Sequence, residues 1–402
     1  MLHSPHPRAA LLTLLVILVA ASAAIAAGAA TAAATSPAPP AAAHTAASGV
    51  PAVSGAPAAA VAYLQARARG LLGPAQARAL AGRCAPGSRL AAREALLSTG
   101  ARRLAAGLGH RIGAVSCRVR VASVRRASGG ATIVRAHAAT LITWTDRAGR
   151  SDTEGDGLDH VLALVCRHGR WLVAGDAYVS DLTPRLLEAA GASRGTVATA
   201  ARSLEAYDGA TAVRTAHIAA RQAAPATAAP CRATPGYVAR FTYDRSAAKA
   251  YADRYALSYN PTYTSFSADC ANFASQVMFA GGYPTFGDTY ASGWWYDKNG
   301  TSAPGNDSYS HSWIAVANQQ GAWNVRYTDY VSSVTALAAG DYIYYDWTGD
   351  GIWDHVAEMV GTNSAGQRIV DAHTTDHYHT YWKLGTSATH YRYAHTRATV
   401  TI

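Results

Sequence analysis

The feature that most constrains this chain is a break in composition near residue 240. Before it, 26 Lys and Arg face 11 Asp and Glu; after it, 9 face 14. Tyrosine divides the other way, with 18 of 22 lying after residue 240. Two compositions this different imply two separately folded parts with different surfaces. The 402 residues are half apolar and only 15% charged, which excludes global disorder. The one stretch apolar enough to span a membrane lies at the extreme N-terminus, so a polytopic membrane protein is excluded.

His3, His6 and Arg8 precede an apolar run from Ala9 to about Ala27, followed by small-residue A-x-A cleavage options. This pattern predicts an export signal over 1–27, with a retained anchor as the alternative. Positions 21–60 hold 21 alanines. Side chains that small bury too little area to offset ordering entropy, so 28–58 is expected to be a disordered lead. Export predicts a secreted or wall-associated location and permits disulfides. The five cysteines, Cys84, Cys117, Cys166, Cys231 and Cys270, leave at least one thiol unpaired or paired elsewhere.

Over 59–182 the pattern is helical first, with Val61, Leu64, Ala68 and Leu71, then a second helix over about 88–108. It then alternates, predicting strands over 115–124, 132–143, 159–167 and 170–176, with 145–158 as a polar turn. The ending from His160 through Trp171 to Tyr178 resembles nuclear-transport-factor-2-like (NTF2-like) domains. That resemblance implies a cone-shaped helix-plus-antiparallel-sheet fold and little chemistry. Arg118, Arg120, Arg125 and Arg126 form either a solubilising face or a contact for anionic wall polymer; export argues against nucleic acid. A helical segment and an Ala/Pro-rich linker around Cys231 fill 183–236.

The second part, 237–402, carries the chemistry. Ala247, Tyr251, Ala252, Tyr255, Ala256 and Tyr259 predict a helix that Thr242 or Asp244 caps and Asn260–Pro261 ends. Asp269-Cys270-Ala-Asn272-Phe273-Ala-Ser275-Gln276 opens a second helix that Gly281–Gly282 ends. Cys270 is thus expected at a helix N-terminus, where unpaired N–H groups and the dipole favour a thiolate and can hold an oxyanion. Cys270 is also the cysteine expected to stay unpaired. His355 is expected at the start of a strand, after the turn Trp347–Gly351, as the base. The next strand offers Asp371 and His373, either of which could orient His355. Trp294, Trp295, Trp313 and Trp323 are expected in the core rather than along a substrate groove.

The Asp269–Gln276 stretch, Tyr251-Ala252-x-x-Tyr255-Ala256, Gly340-Asp341, Asp354-His355-Val356-Ala357 and Asp371-Ala372-His373-Thr374 together resemble the putative amidase domain family of secreted bacterial proteins. Their order resembles the papain-like NlpC/P60 and CHAP hydrolases of the cell wall. The resemblance implies an α+β fold with a papain-like NlpC/P60-type domain, Cys270 as nucleophile, His355 as base, and hydrolysis of an amide, with peptidoglycan as the expected substrate. No cofactor is expected.

Three other readings compete. The chain could be a non-catalytic cell-wall-binding or interaction protein. His373, Asp376, His377 and His379 could hold zinc in a metal-dependent amidase, although H-x-x-x-H helical spacing is missing. Asp346-x-Thr348-x-Asp350-Gly351 resembles part of a calcium loop, with Ala357 where an acidic ligand is needed.

Overall fold

The computed structural model describes residues 55–127, 130–207, 239–298 and 307–402. The export signal, most of the lead over 28–58, and the linker with Cys231 lie outside the described residues. No helix among the described residues is long and apolar enough to cross a membrane. The chain divides into two compact units. The first comprises the chain up to Ser98, Cys117–Ala138 and Asp159–Val179; the second comprises Thr99–Ser116, Ala139–Leu158 and Ser180–Ile402.

In the first unit the helix Gly55–Arg69 lays Ala56, Ala60, Tyr63 and Leu64 into a core with Val134, Ala136, Ala138, Leu162, Leu164 and Val173. Alternation drives the sheet side: Val134, Ala136 and Ala138 point inward from one strand. A buried polar knot closes this core. Glu94 accepts from Arg67 Nε and Arg93 Nε at 2.8 Å each. Asp176 meets His160 Nδ1 at 2.8 Å. Charges buried this far persist because each is paired and hydrogen-bonded. His160 is accordingly a packed residue. Arg118, Arg120, Arg125 and Arg126 are all exposed. No disulfide joins Cys84, Cys117, Cys166 and Cys270 to one another.

The second unit is built on an antiparallel sheet. Asp341–Asp346 pairs with His355–Thr362, which pairs with Arg368–Ala372, which pairs with Asp376–Tyr381. On the other side of Asp341–Asp346 lie His390–Thr396 and then Thr328–Val331. Gly155–Gly157 adds to the Asp376–Tyr381 edge. The 145–158 segment is therefore mostly strand and not turn; the strand starts at Ser151. Its glycines permit this, since a Cβ at Gly155 would lie 2.8 Å from Leu141 Cδ2. The class is mixed α+β with a large antiparallel sheet.

One face of this sheet carries the helices Arg245–Tyr255 and Cys270–Ala280. Asp244 caps the first, accepting from the N–H groups of Ser246 and Ala247 at 2.9 and 3.0 Å. Cys270, Ala274 and Val277 join Tyr342, Tyr344, Val356 and Val360 in one core cluster with Trp294, Trp313 and Trp323. These three tryptophans are core residues, as expected; Trp295 is only half-buried and lies outside that cluster, its Nε1 donating to the Thr289 carbonyl at the surface. The opposite face is also buried, through Ile343, Tyr345, Ala357, Met359 and Val370.

Two glycines separate local from tertiary demands. A Cβ at Gly281, which ends the Cys270–Ala280 helix, would collide with the Tyr243 ring. A Cβ at Gly321, exposed within Val316–Arg326, would meet nothing. Gly281→Ala should lower stability by about 1–3 kcal/mol through overpacking. Gly321→Ala should raise it by up to about 1 kcal/mol through helix propensity. Urea denaturation of both variants checks the opposite signs.

Candidate active site

Cys270 is the first residue of its helix and is 4% exposed. What fixes it there is the carboxylate of Asp269, the residue before. Asp269 Oδ1 accepts from the Phe266 N–H at 2.8 Å and from Asn272 Nδ2 at 3.0 Å. Asp269 Oδ2 meets His373 Nδ1 at 2.7 Å. The other His373 nitrogen, Nε2, lies 2.8 Å from the carbonyl oxygen of Tyr255. A carbonyl only accepts, so Nε2 carries a proton, and Nδ1 faces a carboxylate. Both ring nitrogens thus face oxygens, an arrangement that favours the doubly protonated ring beside Asp269. Burial opposes the charged ring, but the hydrogen bond to Asp269 and the charge of Asp376 outweigh it and raise its pKa. The ring also stacks on Phe273 at 3.9 Å.

Thr374 completes the helix start. Its Oγ1 accepts from the N–H groups of Asp269 and Cys270 at 3.0 and 3.2 Å. Its backbone is left-handed, with φ 85°, an uncommon and costly conformation for a β-branched residue. The Cys270 N–H that the sequence offers to an oxyanion is thus engaged by a hydroxyl. The remaining polar residues of the cysteine motif are anchors in the core. Asn272 Oδ1 accepts from Trp313 Nε1 at 3.0 Å. Ser275 Oγ accepts from Trp294 Nε1 at 2.9 Å and from Gln319 Nε2 at 2.8 Å. Gln276 Oε1 accepts from the Tyr251 hydroxyl at 2.6 Å.

His355 does not share this site. Its register partner is Tyr345, while its neighbour Val356 pairs with Tyr344. Val356 and Tyr344 pack in the same core as Cys270. Strand alternation therefore turns His355 to the opposite face of the sheet. There it is 1% exposed, with Trp347 stacked at 5.4 Å and Asp181 Oδ2 at 3.9 Å from Nε2. Nε2 has no hydrogen-bond partner. Burial pushes its pKa down to about 4, with Asp181 opposing only in part.

Asp371 pairs in register with Glu358, so it lies on the helix side and away from His355. Its Oδ1 accepts from the His379 N–H at 2.6 Å. Neither Asp371 nor His373 reaches His355; the carboxylate nearest that imidazole is Asp181.

The remaining donors separate as well. His373 meets Asp269, His377 Nε2 meets Asp181 at 2.8 Å, and His379 Nε2 meets Asp253 at 2.9 Å. Three histidines with three different partners form no common zinc site. Asp346 spends its carboxylate on the N–H groups of Gly349, Asp350 and Gly351 at 2.7, 3.1 and 2.8 Å. That is a side-chain-closed turn rather than a calcium loop. Among the described residues, the one group of three donors close enough for an ion is Asp253, Asp371 and His379. Gln319 and Asp181 carry no local sequence signal for these roles, because each acts through a contact made only on folding; Thr374 lies in the Asp371–Thr374 motif, but its bond to the Cys270 helix start is likewise made only on folding.

Residues 242–395 match the family model of the putative amidase domain. A protein of Bacillus subtilis (strain 168), the uncharacterized protein YhbB, is 35% identical over 143 residues, covering 35% of this chain and 45% of YhbB. The chain thus spans less than half the length of that relative. No solved structure matches significantly. The putative amidase domain segment contains both Asp269–Gln276 and His355–His379, so the Asp269–His373 pair and the Cys270 helix start fall wholly within it.

Two histidines of opposite character give opposite pH signatures. His355 is held neutral, so below pH about 6.5 the unfolded chain takes a proton the folded chain refuses. That stability is lost as pH falls from about 6.5 toward about 4. Between those limits His355→Gln should remove a loss of about 3 kcal/mol from the wild-type curve. His373 has a raised pKa, so its contribution is full below its unfolded value and disappears as pH rises through its folded one. Asp269→Asn should cost about 3 kcal/mol at pH 6 by leaving a buried cation unpaired, and less at pH 9. Denaturant curves measured from pH 4 to 9 check both signs.

Proposed function

We propose that the chain is an amide hydrolase of the papain-like type that uses Cys270 as its nucleophile and His373, oriented by Asp269, as its acid–base partner. The observation that carries this reading is the pairing of Asp269 with His373 at the first turn of the Cys270 helix, inside the segment matching the putative amidase domain. In the proposed reaction the Cys270 thiolate attacks the amide carbonyl carbon and a C–S bond forms. The C–N bond then breaks, and the leaving nitrogen takes the Nε2 proton of His373. Water attacks the thioester, neutral His373 takes one of its protons, and the carboxylic acid and the thiolate are released. The Nε2 proton is now shared with the Tyr255 carbonyl, so this reading requires the ring and that carbonyl to part when substrate binds.

We further propose that the protein is exported and cleaves amides of peptidoglycan peptides. The exposed arginines Arg118, Arg120, Arg125 and Arg126 support it, being suited to an anionic wall polymer.

Mass spectrometry of muropeptides incubated with the purified chain tests the hydrolase reading. Cys270→Ala should lower product release by at least about 1,000-fold, and His373→Gln should lower it strongly with a changed pH profile. His355→Gln should retain activity wherever it remains folded. Full turnover by Cys270→Ala would sink the nucleophile. Loss of turnover in folded His355→Gln, with His373→Gln active, would return the acid–base role to His355. Binding of wall sacculi without any cleavage would favour a non-catalytic wall-binding protein.

A further inference from the structure

We propose a second site, separate from the Cys270 helix start: a divalent transition-metal site formed by Asp253, Asp371 and His379. One ligand atom from each residue lies within 4.8 Å of the other two, so small side-chain shifts bring all three to the roughly 2.0–2.2 Å at which such donors hold a common ion. They come from three elements: the helix Arg245–Tyr255, the strand Arg368–Ala372 and the strand Asp376–Tyr381.

Acidic clusters are common without an ion, and the argument rests on what the buried oxygens lack. Asp371 is 0% exposed and its Oδ2 has no hydrogen-bond partner. Glu358, its register partner on the same face, is 1% exposed, and neither of its carboxyl oxygens has one. Three carboxyl oxygens without partners in one buried place is far from the usual rule that buried polar groups are bonded. Asp371 and Asp253 are the charges that act most strongly on Glu358, after burial itself. The cationic side chain at hand is Lys249, whose Nζ lies 2.5 Å from Asp253 Oδ2. One ammonium leaves an excess of carboxyl groups that a dication would offset.

Access is available. A cavity of about 240 Å³ is lined by Lys249, His379, Val360 and Ile369 among others, and the side chains of His379 and Asp253 are 22% and 32% exposed. The mixture of one imidazole with carboxylates suits zinc, cobalt or manganese better than calcium, which takes six to eight oxygens.

The test is titration of the full chain, freed of metal with EDTA, with Zn²⁺ and with Co²⁺ as a visible-absorption probe, using Mg²⁺ and Ca²⁺ as controls. One equivalent of Zn²⁺ should bind and raise the melting temperature, and Co²⁺ should give a ligand-field band. Asp371→Asn, whose Oδ1 can still accept from the His379 N–H, should weaken binding at least about 100-fold, as should His379→Gln. Lys249→Met should tighten it several-fold, because a competing cation has gone. The proposal is overturned by the absence of stoichiometric binding below about 100 µM, a concentration where a built site is saturated. Binding unchanged in both Asp371→Asn and His379→Gln would place the ion elsewhere and overturn it too, as would a preference for Ca²⁺. If Asp371→Asn fails to fold, unaltered or weaker binding in Lys249→Met decides against the site. None of these readouts depends on amide hydrolysis.

Discussion

The Asp269 carboxylate is the interaction on which the second unit's helix side turns. It takes the Phe266 amide, the Asn272 side chain and the His373 ring together. Each of those groups belongs to a different feature: the loop before the helix, the first turn of the helix, and the far end of the Arg368–Ala372 strand. Because the Asn272 side chain and the His373 ring are buried and the Phe266 amide partly so, losing the carboxylate would leave several donors unsatisfied at once, which is why such networks are high-stakes. Cys270 inherits its position from this node. Its side chain packs in the apolar core and its amide N–H donates to Thr374.

Much of the architecture was legible in the sequence because periodicity and capping are local. Thr242 or Asp244 before the Ala247–Tyr259 pattern predicts a capped helix; Asp244 is the cap, and the helix ends at Tyr255, short of the Asn260–Pro261 stop. The stretch from Cys270 to the glycine pair predicted a helix, and it runs Cys270–Ala280. His355 and Asp371 were both expected in neighbouring strands and are found there. What the sequence could not supply was the face each side chain occupies relative to the helices. Every residue of Asp341–Asp346 is buried, as are the first six of His355–Thr362. Strands covered on both faces read as continuous runs instead of alternating ones. With no polar face to mark the outside, Val356 and His355 were equally good candidates to meet the Cys270 helix, and packing chose Val356.

The same reasoning explains why the Gly/Asp-rich 145–158 segment was misread. Asp152, Glu154 and Asp156 with intervening glycines have low strand propensity and strong turn character. Pairing of Gly155–Gly157 with Asp376–Tyr378 overrides that preference. Gly155 is required there by the close approach of Leu141 and the Thr140 carbonyl, so a residue that reads locally as a turn former serves as a spacer between packed chains.

The histidine-rich segment 373–379 shows how backbone irregularity can multiply the uses of one strand. His373, His377 and His379 have the same parity, and a regular strand would send all three to one face. Instead, register shifts between Val370 and Ala372, and both Thr374 and His379 are left-handed. His377 stands opposite Ala372 and reaches Asp181 on the face that holds His355. His379, two residues later, reaches Asp253 on the helix face. Each histidine thus ties the sheet to a different element through a carboxylate: the start of the Cys270 helix, the residue before Leu182–Ala189, and the helix Arg245–Tyr255. A cluster that looks in sequence like converging ligands is in three dimensions a set of diverging ties. Ring nitrogens suit this role better than lysines would, because a histidine holds two rigid, directional nitrogens on one short side chain, which fixes angle as well as distance.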